Sequence, residues 1–183
     1  MELVHPIRDR KKIKAMKKAL LEGPQGCRNH LLFVLGINSG LRISDLLSLT
    51  FNDIINGNGV KSNIKMRENK TGKLKDFPLS KVCIDAINTY VTNNPYSALS
   101  DLLFPISRTR AWQIIKQAAI NVGIEERIGT HSLRKTFGYH AFKAGADITR
   151  IQKLLNHSSP GITLAYIGIT KDELDGIYLN LNL

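Results

Sequence analysis

Hydrophobic residues recur along the chain at two periods, and the points where the period changes divide it into elements. Over residues 7–21, Ile13, Met16 and Leu20 return at helical spacing, while Arg8, Arg10, Lys11, Lys12, Lys14, Lys17 and Lys18 fill the positions between. That pattern predicts an amphipathic helix with a basic outer face, either solvated or turned to DNA, ended by Gly23-Pro24-Gln25-Gly26. The apolar run Leu31 to Ile37 predicts a buried helix closing at Ser39-Gly40. Ile43, Leu46 and Leu47 then open another, which puts Arg42 at or just before its first turn. From Val60 to Leu79 the period falls to two. Val60, Ile64 and Met66, then Phe77 and Leu79, flank the turn residues Asn69-Lys70-Thr71-Gly72. This predicts a β-hairpin with Lys70 and Lys73 at or near its tip.

Helical spacing then resumes. Ser80 stands as a cap before Val82, Ile84, Ile87 and Val91, and Ala111, Ile114, Ile115, Ala118, Ala119 and Val122 mark the buried stripe of a longer helix. Thr130 or Ser132 caps a helix carrying Leu133, Phe137, Ala141 and Ala144 inward, and Asp147 caps one carrying Ile148, Ile151, Leu154 and Leu155. Ser159-Pro160 starts a further helix in the preferred order of cap then proline, with Tyr166 about two turns along. Leu174, Ile177, Tyr178 and Leu181 give a last short helix an apolar side, for its own domain or for a neighbouring copy. No repeat and no long linker divides the 183 residues. The expected architecture is one mainly helical (α+β) domain over 1–183 with a small antiparallel sheet.

Charge changes the picture. The 26 Lys and Arg against 15 Asp and Glu give a formal net charge of +11, which favours a polyanionic partner such as nucleic acid. The only two cysteines, Cys27 and Cys83, have no paired spacing, so neither a disulfide framework nor a thiolate metal site is expected. No apolar run approaches the ~20 residues of a membrane span, and no signal-peptide pattern opens the chain, so a cytoplasmic protein is expected.

Candidate chemistry gathers in the last third. His131 and Arg134 are three residues apart, hence neighbours on one helical face. His157 falls at the end of the next helix and Tyr166 follows. Each has an ordinary alternative: an ion pair with Asp45 for Arg42, a helix C-terminus for His157, core for Tyr166, solvent for Lys70 and Lys73. On the helix marked by the Ala111-to-Val122 stripe the polar side carries Arg108, Arg110, Gln113, Lys116 and Gln117, types that read phosphates and base edges but also types that populate any wet helix face.

Taken together these residues resemble the catalytic domain of the tyrosine recombinases, the phage integrase family. The resemblance rests on Gly40-Leu41-Arg42, Lys70-Thr71-Gly72, His131-x-x-Arg134, His157 23 residues after Arg134 with Ser158 behind it, and Tyr166 nine residues later. It spans nearly the whole chain. It implies the integrase catalytic-domain fold and site-specific recombination of double-stranded DNA through a covalent 3′-phosphotyrosine. It also implies roles: Tyr166 as nucleophile, Arg42 and Arg134 as phosphate clamps, His157 as a donor to the same oxygens, His131 as proton acceptor and Lys70 as general acid. No metal or other cofactor is implied. The expected partners are DNA and further copies of the chain, as a tetramer in synapsis, in the setting of a phage or mobile element. An amino-terminal clamp domain carried by many relatives is expected to be absent. Asp45 stands where many relatives have glutamate, and Asn156 where glycine is common. A type IB topoisomerase and a DNA-binding accessory protein with little turnover remain the competing expectations.

Overall fold

A helix whose central turns, residues 31–36, are buried on every side, α2 (Gly26–Ser39), forms the middle of the molecule. The computed structural model describes residues 4–96 and 98–181, without the side chain of Ile177. The expectation for Ile177 therefore lies outside the described residues. Leu31, Leu32, Val34 and Leu35 of α2 join one core cluster with Ile87, Leu103 and Phe104, while Phe33 joins another with Met16, Leu20, Ile115 and Leu133. Turns that are apolar all round must be covered all round, since each such side chain gains about 1.5–3 kcal/mol from burial. The helices packed on it are α1 (Arg10–Leu20), α5 (Lys81–Asn93) and α7 (Thr130–Lys143).

α1 starts at Arg10 rather than near residue 7, because Asp9 caps it by accepting from the Lys11 N–H at 2.7 Å. The preceding Ile7 N–H is drawn instead to Thr136 Oγ1 of α7 at 2.8 Å. α2 ends on Gly40, whose φ of 61° is the left-handed cap conformation and whose missing Cβ leaves room for the Phe137 ring. Two short helices follow, α3 (Ile43–Leu47) and α4 (Phe51–Ile54).

Two small antiparallel sheets take the place of the single hairpin expected from Val60 to Leu79. Val60 belongs to the ribbon β1 (Ile55–Asn56) with β2 (Gly59–Val60). The main hairpin is β3 (Asn63–Arg67) with β4 (Leu74–Pro78), Ile64 facing Phe77 and Arg67 facing Leu74. The chain breaks between them because the Lys61 N–H turns back to the Ile54 carbonyl at 2.8 Å.

The stripe of α5 is Cys83, Ala86, Ile87 and Tyr90, leaving Val82 exposed. That set keeps the 3, 4, 7 spacing of one helical face, which Val82 does not share. Ser80 precedes α5 without a side-chain capping bond. α6 (Arg108–Asn121) buries Ala111, Ile114, Ile115, Ala118 and Ala119 as expected and is capped by Ser107.

α7 departs further from its predicted stripe. Its cap is Gly129, whose N–H donates to Ser132 Oγ at 3.1 Å, so Thr130 and Ser132 lie inside the helix. Ser132, Leu133, Arg134, Lys135, Thr136, Gly138 and Tyr139 are all buried, while Ala144 is exposed beyond the last turn. α8 (Ile148–Leu154) and α9 (Pro160–Ile167) are capped by Asp147 and Ser159. Leu154 is exposed, Ile151 and Leu155 being the buried pair. α9 passes so close to α7 that a Cβ on Gly138 would meet Ile167 at 2.6 Å. α10 (Lys171–Asn180) is anchored at its start by the Lys143–Glu173 ion pair at 2.7 Å, and its Tyr178 and Leu179 stand open to solvent.

Candidate active site

Six side chains from five parts of the chain line one open pocket of about 320 Å³: Arg42, Lys70, His131, Arg134, His157 and Tyr166, with Asn156, Ser158 and Ile162. All six residues expected to be reactive are thus brought together.

Arg42 is the residue before α3, with extended backbone, so its side chain leaves the helix start toward the pocket. Its Nη1 lies 2.9 Å from Glu68 Oε2 and 4.0 Å from Asp45 Oδ2, so Asp45 is the lesser partner. Arg134 is buried on α7. Its Nη1 donates to the Gly40 carbonyl at 2.6 Å and its Nη2 to the Leu155 carbonyl. Both bonds use loop carbonyls at helix ends, where acceptors are free.

His131 sits one turn before Arg134 at the rim. Its Nε2 is 3.3 Å from Arg108 Nη2. A guanidinium can only donate, so Nε2 carries the lone pair and the proton resides on Nδ1. Burial first, then Arg108 and Arg134, push the His131 pKa below its usual value, so the ring is neutral near pH 7 and competent to accept a proton. His157 follows Asn156, and its Nδ1 lies 3.2 Å from Thr163 Oγ1. Burial, then Arg134 and Arg42, bring its pKa down to about 4.

The Tyr166 ring meets the His157 ring edge-on at 4.7 Å between centroids. Burial raises the phenol above its usual pKa of 10.0, against the opposing effect of the Arg134 and Arg42 charges and a hydrogen bond from Arg134. The nearest cation over its face is Lys135 Nζ, 5.0 Å from the ring centroid. Tyr166 therefore lies beside Arg134 of its own chain.

The residues expected to contact DNA outside the reactive set do not share one face. Arg108 belongs to the active-site rim through His131. Arg110, Gln113 and Gln117 line a separate groove between α6 and the α1–α2 region, beside Ala19, Glu22 and Asn29. Lys116 instead covers the Trp112 ring at 4.7 Å. Lys73 is exposed on the hairpin turn and does not line the pocket. A 14-residue helix with one buried stripe has two polar flanks, and the expected set was drawn from both.

Four supporting residues escaped the sequence reading of the site. Glu68 is buried at the end of β3 with its side chain fully covered. Lys75 on β4 donates to the Leu154 carbonyl at 3.3 Å and to the Gly40 carbonyl at 3.5 Å, and burial brings its pKa down to about 8. The signal was its place two residues before Phe77, on the same face of the strand. Lys135 is buried next to Arg134. Asn156 was noted only as a departure from glycine; its φ of 49° shows why glycine is common there, since asparagine is among the few other residues that tolerate this conformation. Among the described residues no cluster of metal-ligating side chains occurs, and no helix is long and apolar enough to cross a membrane.

Comparison with known proteins identifies the family of the chain. The model of the phage integrase family matches residues 8–173. The probable integrase/recombinase YoeC of Bacillus subtilis (strain 168) is 42% identical over 97% of this chain and 97% of its own length. The tyrosine recombinase XerD of Halalkalibacterium halodurans is 29% identical over 90% of this chain but 59% of its own length, so the chain spans about three-fifths of that relative. The structure of XerH site-specific recombinase bound to palindromic difH substrate, a post-cleavage complex, superposes with a TM-score of 0.76 at 18% identity, covering 93% of this chain and 51% of that one. From the family match and the YoeC relative, the chain belongs to the phage integrase family, as a tyrosine recombinase catalytic domain.

Proposed function

We propose that this chain cuts and rejoins DNA strands at specific sites through a covalent link between Tyr166 and a 3′ phosphate. The observation that carries the reading is the convergence of Arg42, Lys70, His131, Arg134, His157 and Tyr166 on one pocket. In-line attack on a phosphodiester builds negative charge on the two non-bridging oxygens. Arg42 and Arg134 offer paired donors to that charge, and His157 adds another. The Tyr166 oxygen forms a bond to phosphorus as the bond to the 5′ oxygen breaks. The phenol proton passes to the Nε2 lone pair of neutral His131, which Arg108 Nη2 faces at 3.3 Å in the DNA-free chain, and Lys70 supplies the proton that the departing 5′ oxygen needs.

Resealing runs the same steps backward. A 5′ hydroxyl gives its proton to Lys70 and attacks phosphorus, and Tyr166 leaves with the proton held by His131. The phosphotyrosine keeps the energy of the broken linkage, so joining to a second strand needs no nucleotide. The named activities of YoeC and XerD support strand exchange over swivel relaxation or simple DNA binding. The exposed apolar residues Tyr178, Leu179 and Leu181 at the carboxyl end support assembly of several copies on DNA, a tetramer in synapsis. Phosphate contacts from this basic surface make binding fall steeply with salt.

The test begins with duplexes selected from random-sequence DNA by binding to Tyr166→Phe. Nicked versions of those duplexes, incubated with the unmodified protein, yield a covalent adduct on a denaturing gel, and Tyr166→Phe yields none. An adduct that survives Tyr166→Phe removes Tyr166 as nucleophile, and no adduct on any selected duplex favours a binding protein without turnover.

A further inference from the structure

Glu68 joins three parts of the pocket through one oxygen atom. Its Oε2 accepts from Thr71 Oγ1 at 2.7 Å and from Asn156 Nδ2 at 2.9 Å, and it faces Arg42 Nη1 at 2.9 Å. Its backbone organises the same turn: the Glu68 carbonyl accepts from the Gly72 N–H at 2.8 Å, and the Glu68 N–H donates to the Lys73 carbonyl at 3.0 Å. The turn that carries Lys70 is therefore folded around Glu68. The carboxylate then ties that turn to a phosphate clamp on one side and to the loop before His157 on the other.

A carboxylate suits this place for a chemical reason. Thr71, Asn156 and Arg42 all present donors, and an ionised carboxylate accepts only. Burial of such a charge is costly unless it is paired, and Arg42 supplies the counter-charge. The Glu68 pKa stays below its usual value although burial opposes this, the hydrogen bonds from Thr71 and Asn156 and the ion pair with Arg42 outweighing it. Lys70 itself is exposed. What fixes its reach is the backbone of the turn.

We propose that Glu68 is a positioning residue for strand cleavage, setting Lys70 against the departing 5′ oxygen by locking the hairpin turn to Arg42 and Asn156. The inference rests on reading Lys70 as the general acid. Misplacing a reacting group by about 1 Å costs on the order of 100-fold in rate, and general-acid catalysis contributes about 100- to 10,000-fold.

The test compares two forms of one selected nicked duplex, an ordinary phosphodiester and one whose 5′ bridging oxygen is sulfur. A thiolate leaves without a proton, so it bypasses the acid. Adduct formation by Lys70→Ala is expected to fall at least about 100-fold on the oxygen substrate and to recover on sulfur. Glu68→Gln is expected to fall about 10- to 100-fold on oxygen and to recover most of that on sulfur, with DNA affinity within about twofold of the unmodified protein. Asn156→Gly removes the hydrogen bond to Glu68, and glycine accepts the φ of 49° without strain. It is expected to lose a smaller factor, about threefold to tenfold, again recovered on sulfur. An equal loss on both substrates, or no loss, in Glu68→Gln overturns the proposal. Should Glu68→Gln fail to fold, the same two outcomes in Asn156→Gly overturn it. If Lys70→Ala itself is not recovered by sulfur, the acid assignment falls and this inference with it; an unrecovered Glu68→Gln beside a recovered Lys70→Ala removes the inference alone.

Discussion

Arg134 and Arg42 reach the same pocket but are held by opposite means. Arg134 is fixed by neutral carbonyls, those of Gly40 and Leu155, and its formal charge is left whole. Arg42 is fixed by carboxylates, Glu68 at 2.9 Å and Asp45 at 4.0 Å, which offset its charge while they orient it. Lys75 adds a second cation on the Gly40 carbonyl, behind Arg134. A phosphate entering the pocket therefore meets most of its attraction on the Arg134 side and a pre-aimed fork on the Arg42 side. Charge and geometry are supplied by different arginines.

The largest effects should come from removing either fork. Arg134→Ala and Arg42→Ala are each expected to slow adduct formation by about 100- to 1,000-fold, the usual loss for one preorganised donor. Lysine variants sharpen the contrast. In Arg134→Lys a single ammonium has to replace two carbonyl bonds in fixed directions and still reach the phosphate, so its rate should lie near that of Arg134→Ala. In Arg42→Lys the charge opposite Glu68 survives, and a milder loss of about 10- to 100-fold is expected. Equal losses in the two lysine variants would mean that the mode of anchoring does not matter.

The same contrast explains what the sequence made legible. The reactive residues announced themselves because their spacing along the chain is characteristic: His131 and Arg134 on one turn of α7, His157 after α8, and Tyr166 on α9. The helical elements followed from their apolar stripes, as in α6, where all five buried residues lie at expected positions. α7 was harder, because in its first two turns only His131 reaches the pocket rim, while Ser132, Arg134, Lys135 and Thr136 are polar residues buried in the interior. An apolar stripe stands out only against a wet face opposite it, and here that face is nearly absent. The anchors were harder still. Gly40 and Leu155 hold Arg134 with backbone carbonyls, which every residue possesses, so no side-chain type marks them. Glu68 lies 26 residues beyond Arg42 and 88 before Asn156, and only the folded hairpin brings the three together.

Stability should separate the two arginines next, by a few kcal/mol. Arg42→Ala leaves the buried Glu68 carboxylate without its counter-charge, a change that typically costs about 3–5 kcal/mol near neutral pH. Arg134→Ala leaves two carbonyl oxygens to find other donors, about 1–3 kcal/mol each. The pH dependence distinguishes the two causes. In the unmodified protein the folded Glu68 pKa lies below its usual 4.5, so its contribution is present above that value and is lost as pH falls through the folded pKa. In Arg42→Ala burial acts without the main opposing charge, the folded pKa rises, and stability is regained as pH falls toward 4.5. In a background with His131→Gln and His157→Gln, which removes the two imidazoles that both arginines depress, urea unfolding at pH 7 and pH 5 should show the Arg42→Ala deficit shrinking at the lower pH while the Arg134→Ala deficit stays constant. A pH-independent Arg42→Ala deficit would assign its cost to lost packing instead.

The smallest expected effect tests the comparison most directly, because His157 senses both arginines. Its pKa is brought down to about 4 by burial, then by Arg134, then by Arg42. A folded value below the usual 6.5 means that the unfolded chain takes up this proton first, so the DNA-free protein loses stability as pH falls from 6.5 toward 4. Neutralising an arginine should release part of this depression. Arg134→Gln is expected to move the His157 pKa upward further than Arg42→Gln, since the Arg42 charge is already offset by Glu68 and Asp45. A proton NMR titration of the imidazole in the two variants reads the difference. If Arg42→Gln shifts His157 as far as Arg134→Gln does, the carboxylates are not masking Arg42, and the division of labour between the two clamps fails on its electrostatic half.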